Sequence, residues 1–215
     1  MFASAEDVLS VRAAKDVALD TNPESAFWIG AKPVLVNRDN RGKAAGFAMR
    51  VSTRWTSGNL YLLFQCPYEE LYLKPNPSKT EETYELWNWD VAEIFIGSDF
   101  KNIRRYKEFE VSPQGEWVDL DIDLSKPHPE GGWKWNSGFE CAARIDKASK
   151  IWYAALRIPL NAIDSRPPAE GTEFRVNLYL SEGPPAKHKS MAWQPTLVPN
   201  FHVPEKFGTL RLVGQ

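Results

Sequence analysis

Long apolar runs are missing from this sequence. No stretch approaches the roughly 20 consecutive apolar residues of a membrane-spanning helix, so no membrane partner is expected. Excess basic charge is missing too. Lys and Arg number 26 against 28 Asp and Glu, which removes the electrostatic footprint of a nucleic-acid binder. Cysteine is nearly absent: Cys66 and Cys141 fall on the apolar phase of strand-like runs and read as buried free thiols rather than a disulfide. There is no Gly-x-Ser-x-Gly elbow, no P-loop, no His or Cys pairing at zinc-ligand spacing and no EF-hand-like loop. The first residues, Met1 to Asp7, have neither the basic nor the apolar region of a signal peptide. That leaves a cytoplasmic location or a leader already removed.

Helical periodicity is the last absence, and it points to the fold. Only Ala5 to Val17 suggests a short helix, and strand or coil fits that segment equally well. After it, strand signals recur. Pro33 to Asn37 is a short apolar run, Phe47 to Trp55 alternates, and Ser57-Gly58-Asn59 turns it into Leu60 to Cys66. Further strands are expected at Val91–Ile96, Tyr106–Val111, Glu116–Asp123, Phe139–Asp146, Ile151–Pro159, Glu173–Ser181 and Phe207–Val213. Ser112-Pro113-Gln114-Gly115 reads as a hairpin turn. The 16 prolines and 13 glycines are spread along the chain, as many short strands joined by turns require. About ten or eleven strands with no crossover helix exclude a parallel α/β sheet. The expected fold is all-β: one domain over residues 1–215, built as a two-sheet antiparallel β-sandwich with jelly-roll or immunoglobulin-like packing.

What the chain does have is tryptophan, nine in 215 residues. Trp152, in the apolar strand Ile151 to Leu156, reads as core, and Trp28 and Trp55 read the same way. The others keep different company. Trp87 and Trp89 flank Asn88 at the end of a loop of about 20 residues from Pro67, and loops that long are disproportionately functional. Trp133 and Trp135 follow Gly131-Gly132, and Trp193 lies between Ser190 and Pro195. A tryptophan on a loop either folds back onto the body or offers its flat face to a partner. That face suits the axial C–H patch of a pyranose, while the hydroxyls around the ring need carboxylates, amides and guanidinium groups. Glu85-Leu86-Trp87-Asn88-Trp89-Asp90-Val91-Ala92-Glu93 has this composition, although an amphipathic strand entry with a tryptophan lid explains it as well.

The run Leu86-Trp87-Asn88-Trp89-Asp90-Val91-Ala92-Glu93-Ile94-Phe95-Ile96 resembles a segment of carbohydrate-binding module family 9, a relative of the DOMON-like sandwich superfamily. Three further pieces follow in that family's order. They are Tyr106 to Gly115, then Trp152 with Leu156 to Leu160, then Met191 to Thr196 with Phe201-His202 and Phe207 to Leu210. The resemblance covers residues 60–213 and implies a non-catalytic sandwich that grips a mono-, oligo- or polysaccharide between two tryptophans. Carried over by position, that pair is Trp87 and Trp193, with Glu93 accepting from a hydroxyl and Trp89 beside it. Arg175 and Asn177, on the polar phase of their strand, are added from alternation alone. The family's opening acidic-Gly pair and tryptophan are reduced here to Leu19-Asp20 and Trp28, and Ser190 stands where a longer amide is expected. The resemblance also suggests a periplasmic or extracellular setting.

No cofactor is required by this reading, but the family often carries structural calcium. The acidic phase of Glu116 to Asp123 offers oxygen ligands, although carboxylates alternating along a strand usually form a solvated face. Three rival functions stand beside saccharide binding: a protein–protein module using exposed tryptophans, a glycosidase using a pair such as Glu93 with Glu108 or Glu110, and a b-type haem sandwich using Met191 and His202. The sequence does not reveal an oligomeric state.

Overall fold

The computed structural model describes residues 7–215 and contains 12 strands. In chain order these are β1 (Val8–Arg12), β2 (Val34–Arg38), β3 (Ala44–Trp55), β4 (Asn59–Pro67), β5 (Val91–Gly97) and β6 (Arg105–Val111). They continue as β7 (Trp117–Asp123), β8 (Glu140–Asp146), β9 (Ile151–Pro159), β10 (Glu173–Glu182), β11 (Lys189–Ala192) and β12 (Gly208–Val213). Helix among the described residues amounts to α1 (Leu160–Ile163) and three 3-10 turns. The strands run side by side in the order β7-β6-β5-β10-β12-β1-β3-β4-β9-β8, with β11 added to β10 and β2 to β3.

This path is a sandwich in which two antiparallel sheets are joined through β1. The short strand β1 lies parallel to both β12 and β3, the one departure from an antiparallel expectation. Its segment is extended rather than helical from Val8 to Arg12, while Ala5 and Glu6 lie outside the described residues. The main core sits between the sheets. Ile94, Ile96, Phe109, Val176 and Leu178 from one side meet Val51, Leu62, Phe64, Trp152 and Leu156 from the other, all buried. Trp28 and Trp55 are buried as expected, their indole N–H groups donating to the carbonyls of Asp20 and Val213.

Most of the expected strands are present within a few residues. The Ser112–Gly115 turn closes with Gly115 N–H on the Ser112 carbonyl at 3.0 Å, and Gly115 takes the positive φ of 85° that the turn demands. The strand β11 was not expected, because Lys187 to Ser190 reads as a loop; it pairs with β10, and its Met191 adds a single bridge to Asp39. Cys66 and Cys141 are free thiols, the first buried and the second half-buried.

Alternation predicts one wet face per sheet, and here the structure differs. Every residue of β5 is buried, and so is all of β10 beyond its first residue. The outer face of the β5–β6–β7–β10 sheet carries a second apolar layer of Leu86, Phe95, Tyr106, Val118, Leu120 and Tyr179. On the other sheet, Trp28 and its neighbours Val17, Leu19 and Phe27 cover Tyr61 and Leu63.

Candidate functional site

The outer face of the first sheet is where chemistry collects. Strand register sets Glu93 of β5 between Glu110 of β6 and Tyr179 of β10, and the next row sets Phe95 between Glu108 and Asn177. Three loops reach over this face. One brings Tyr84 and Trp87, another His128 and Trp133, the third Phe201 and His202. Together with the sheet they enclose a cavity of about 1210 Å³ lined by all six of these residues and by Glu93, Phe95 and Glu108.

The aromatic walls are held by specific contacts. Trp87 follows the buried Leu86 in a 3-10 turn and meets the Tyr84 ring edge-on at 5.1 Å. Trp133 packs edge-on against His128 at 4.3 Å. His202 stacks on Phe95 at 5.2 Å and shares a 2.6 Å hydrogen bond through Nδ1 with the Tyr106 hydroxyl. Burial lowers the His202 pKa to about 4, so the ring is neutral near pH 7. Phe201 stacks on Tyr179 at 4.3 Å, and the Tyr179 hydroxyl donates to the Phe201 carbonyl. The long loop is tied down by Asp90, whose carboxylate accepts from the backbone N–H groups of Tyr72 and Gly183 at 2.8 and 2.7 Å.

The floor is acidic. Glu93, Glu108 and Glu110 are 1%, 3% and 0% exposed, and each offers an oxygen within 4.8 Å of the others. Glu93 accepts from the Ser181 hydroxyl at 3.5 Å, the Glu108 and Glu110 carboxyls bond to each other, and among the described residues no other group donates to Glu110 or to one oxygen of Glu108. Burial, reinforced by the neighbouring carboxyls, pushes Glu93 and Glu110 well above the usual carboxylate range, and burial lifts Glu108 to about 7.

Of the residues selected from sequence, Trp87 and Glu93 meet at this cavity. The other four lie outside the cavity lining. Trp193 is 9% exposed and belongs to the core between the sheets. Its ring occupies the space where a Cβ on Gly208 would stand, 2.6 Å away. It therefore does not form a cavity wall opposite Trp87. Trp89 stacks on Tyr72 at 4.6 Å. Arg175 is buried, its guanidinium donating to the carbonyls of Ile103 and Pro204 and lying over the Phe207 ring. Asn177 is a buried clip, donating to the Tyr179 hydroxyl and the Gln194 carbonyl and accepting from the Gln194 N–H. Both polar residues lie on the expected face, but backbone groups and, for Asn177, the Tyr179 hydroxyl engage them there. Trp133, which sequence left unassigned, is the second tryptophan of the cavity. Glu108 and Glu110 carried one signal, a shared alternation phase set against Phe109 and Val111; the loop cover makes them buried.

The acidic strand β7 does not fit a calcium ion. Ser112 donates to Glu116, the Ser137 N–H to Asp119, Lys107 pairs with Asp121, and Ser125 and Lys126 hold Asp123. Each carboxylate is engaged separately rather than turned toward a common centre. Of the haem candidates, Met191 is packed in the main core, and His202 stacks on Phe95 with its Nδ1 on the Tyr106 hydroxyl.

A β-sandwich with an aromatic-walled, acid-floored cavity on one sheet face describes a class of small-ligand-binding modules. The sequence model of the family described as carbohydrate family 9 binding domain-like matches residues 19–215, and the chain belongs to that family. Solved structures agree on the fold. A family 9 carbohydrate-binding module from Caldicellulosiruptor kristjanssonii in complex with cellotriose is 14% identical with a TM-score of 0.70, covering 98% of this chain and 95% of that one. The module from the same organism in complex with glucose is 14% identical with a TM-score of 0.67, covering 96% of each chain. A Bacteroides uniformis protein proposed to bind carbohydrate is 15% identical with a TM-score of 0.73, covering 97% of this chain and 100% of that one. No curated protein matches the sequence.

Proposed function

We propose that the chain is a non-catalytic saccharide-binding domain acting as one unit and needing no cofactor. A sugar ring or chain end lodges in the cavity against Trp87 and Trp133, and Glu93 and Glu108 read its hydroxyls. The observation that carries this reading is the convergence of two loop tryptophans and buried carboxyls on one cavity. Membership of the family and the cellotriose and glucose bound by its solved relatives support it. A stacked ring with a few directed hydrogen bonds corresponds to millimolar-to-micromolar affinity, roughly 4–8 kcal/mol.

Hydrolysis is a weaker fit to the same residues. A glycosidase sets its two carboxyls on either side of the scissile bond, whereas Glu93, Glu108 and Glu110 stand side by side on adjacent strands of one floor. Titration of tryptophan emission with glucose and cellotriose tests the proposal. Quenching that saturates in the wild type and is lost in Trp87→Ala and Trp133→Ala is expected. An emission spectrum that no mono- or oligosaccharide perturbs would discard it.

A further inference from the structure

The floor and walls of the cavity ask for different things from a ligand, and one ligand chemistry meets both. In and just behind the cavity, the buried polar side-chain atoms that no N–H or hydroxyl of another residue reaches are all oxygens, and the Glu108 and Glu110 carboxyls have only each other. These atoms are one oxygen of Glu108, both oxygens of Glu110 and Oδ1 of Asn40, which is 9% exposed and lines the cavity away from the acidic cluster's own strands. A buried polar group without a partner is costly, so these atoms call for a ligand that donates.

Charge points the same way. Among the described residues, no cationic side chain is paired with the three floor carboxyls. Of the cations near the floor or on the cavity lining, Lys107 pairs with Asp121, Lys126 with Asp123 and Lys189 with Glu69 and Glu182, Arg104 donates to the Leu124 carbonyl, and Arg41 lies on the lining next in sequence to Asn40. Burial without a countercharge raises the carboxyls toward neutrality, a state that a bound cation reverses. A bare metal ion would answer the floor but leave the tryptophan walls without a purpose.

We propose that the preferred ligand is a saccharide bearing a free amino group, a hexosamine unit whose ring packs on the tryptophan walls and whose ammonium sits over Glu93 and Glu108, with Glu110 behind them. This rests on the saccharide reading above and narrows its ligand class. The ammonium brings three donors and one positive charge to a carboxyl floor that has no countercharge among the described residues, while an acetylated nitrogen brings one donor and no charge.

The test compares three trimers by calorimetric titration at pH 6.5: fully deacetylated chitosan trimer, cellotriose and chitin trimer. A charge-assisted hydrogen bond in a buried site corresponds to about tenfold or more in affinity, so the chitosan trimer is expected to bind about tenfold tighter than cellotriose. That ratio should fall to about twofold or less in Glu108→Gln and Glu93→Gln, which keep the side-chain shape and remove the charge. Near-UV circular dichroism confirms that each variant is folded, and Glu110→Gln provides a second charge deletion outside the cavity lining. Equal binding of chitosan trimer and cellotriose overturns the proposal while leaving the saccharide reading intact. So does a chitin trimer that binds as tightly as chitosan, or a preference that survives all three glutamine variants. Calcium chloride alone altering tryptophan emission, with the effect lost in Glu108→Gln, would make the floor a metal site and also overturn it. If none of the trimers binds, the saccharide reading itself falls.

Discussion

Trp87 and Trp193 illustrate how one residue type takes two roles in the same molecule. Trp193 fills space above Gly208 in the main core, so Trp193→Ala should open a cavity and destabilise the fold by about 3–5 kcal/mol in urea denaturation. Trp87 is only partly buried on its loop, so Trp87→Ala should remove saccharide-induced quenching while shifting stability by less than about 1.5 kcal/mol. Equal loss of stability in the two variants would contradict this division. Glu108 gives a pH-dependent counterpart. Its folded pKa of about 7 lies above the ordinary value of 4.5, so the folded state holds an extra proton between those limits and loses that advantage as pH rises through them. Glu108→Gln cannot lose it. Relative to wild type, the variant's melting temperature should therefore be more favourable at pH 7.5 than at pH 5. A difference that is the same at both pH values would place the carboxyl in a more solvated setting than the structure shows.

At the scale of elements, the cavity is made by loops on a rigid sheet. The sheet face supplies register, so Glu93, Glu108 and Glu110 meet whatever the loops do. The loops supply cover, and their anchoring is local. Tyr84 lies where Gly132 has no side chain: a Cβ there would stand 1.7 Å from the Tyr84 hydroxyl oxygen, and Gly132 has a φ of 81° that an L side chain rarely adopts. Gly132→Ala should cost about 1–3 kcal/mol and displace Tyr84 and the adjoining Trp133. Weaker saccharide quenching and faster proteolysis in the segment 125–138 would be the readout. Asp90 ties the other loop to the turn after β10, and Lys134 lies over the Tyr84 ring at 4.5 Å, so the two loops are linked through one tyrosine. Little of this linkage was visible in sequence, where Trp133 stood in a Pro- and Gly-rich connection with no sign of what it faced.

For the whole molecule, β1 is the joint. It lies parallel between β12 and β3 and completes the continuous path from one sheet to the other. Its Ser10 is fully buried, and a proline there removes a ladder hydrogen bond and cannot sit in a central strand. Ser10→Pro should lower stability by about 3 kcal/mol or more in a urea titration, whereas a near-neutral effect would show that the two sheets hold together without it. The all-β class and most strand boundaries followed from sequence alone, because alternation, turn residues and the absence of helical period are local properties written every two to four residues. The same locality explains the selection of Glu93 and Trp87, which lie within one short run. Tertiary structure decided the rest. Whether Trp193 points to the core or to a ligand, whether Arg175 and Asn177 bond protein or solvent, and whether an acidic strand face is wet or roofed depend on other segments: Gly208 for Trp193, Ile103 and Pro204 for Arg175, Gln194 for Asn177. Periodicity assigns a side chain to a face; only packing of distant loops determines what covers that face, and here that cover is what makes a cavity out of a sheet.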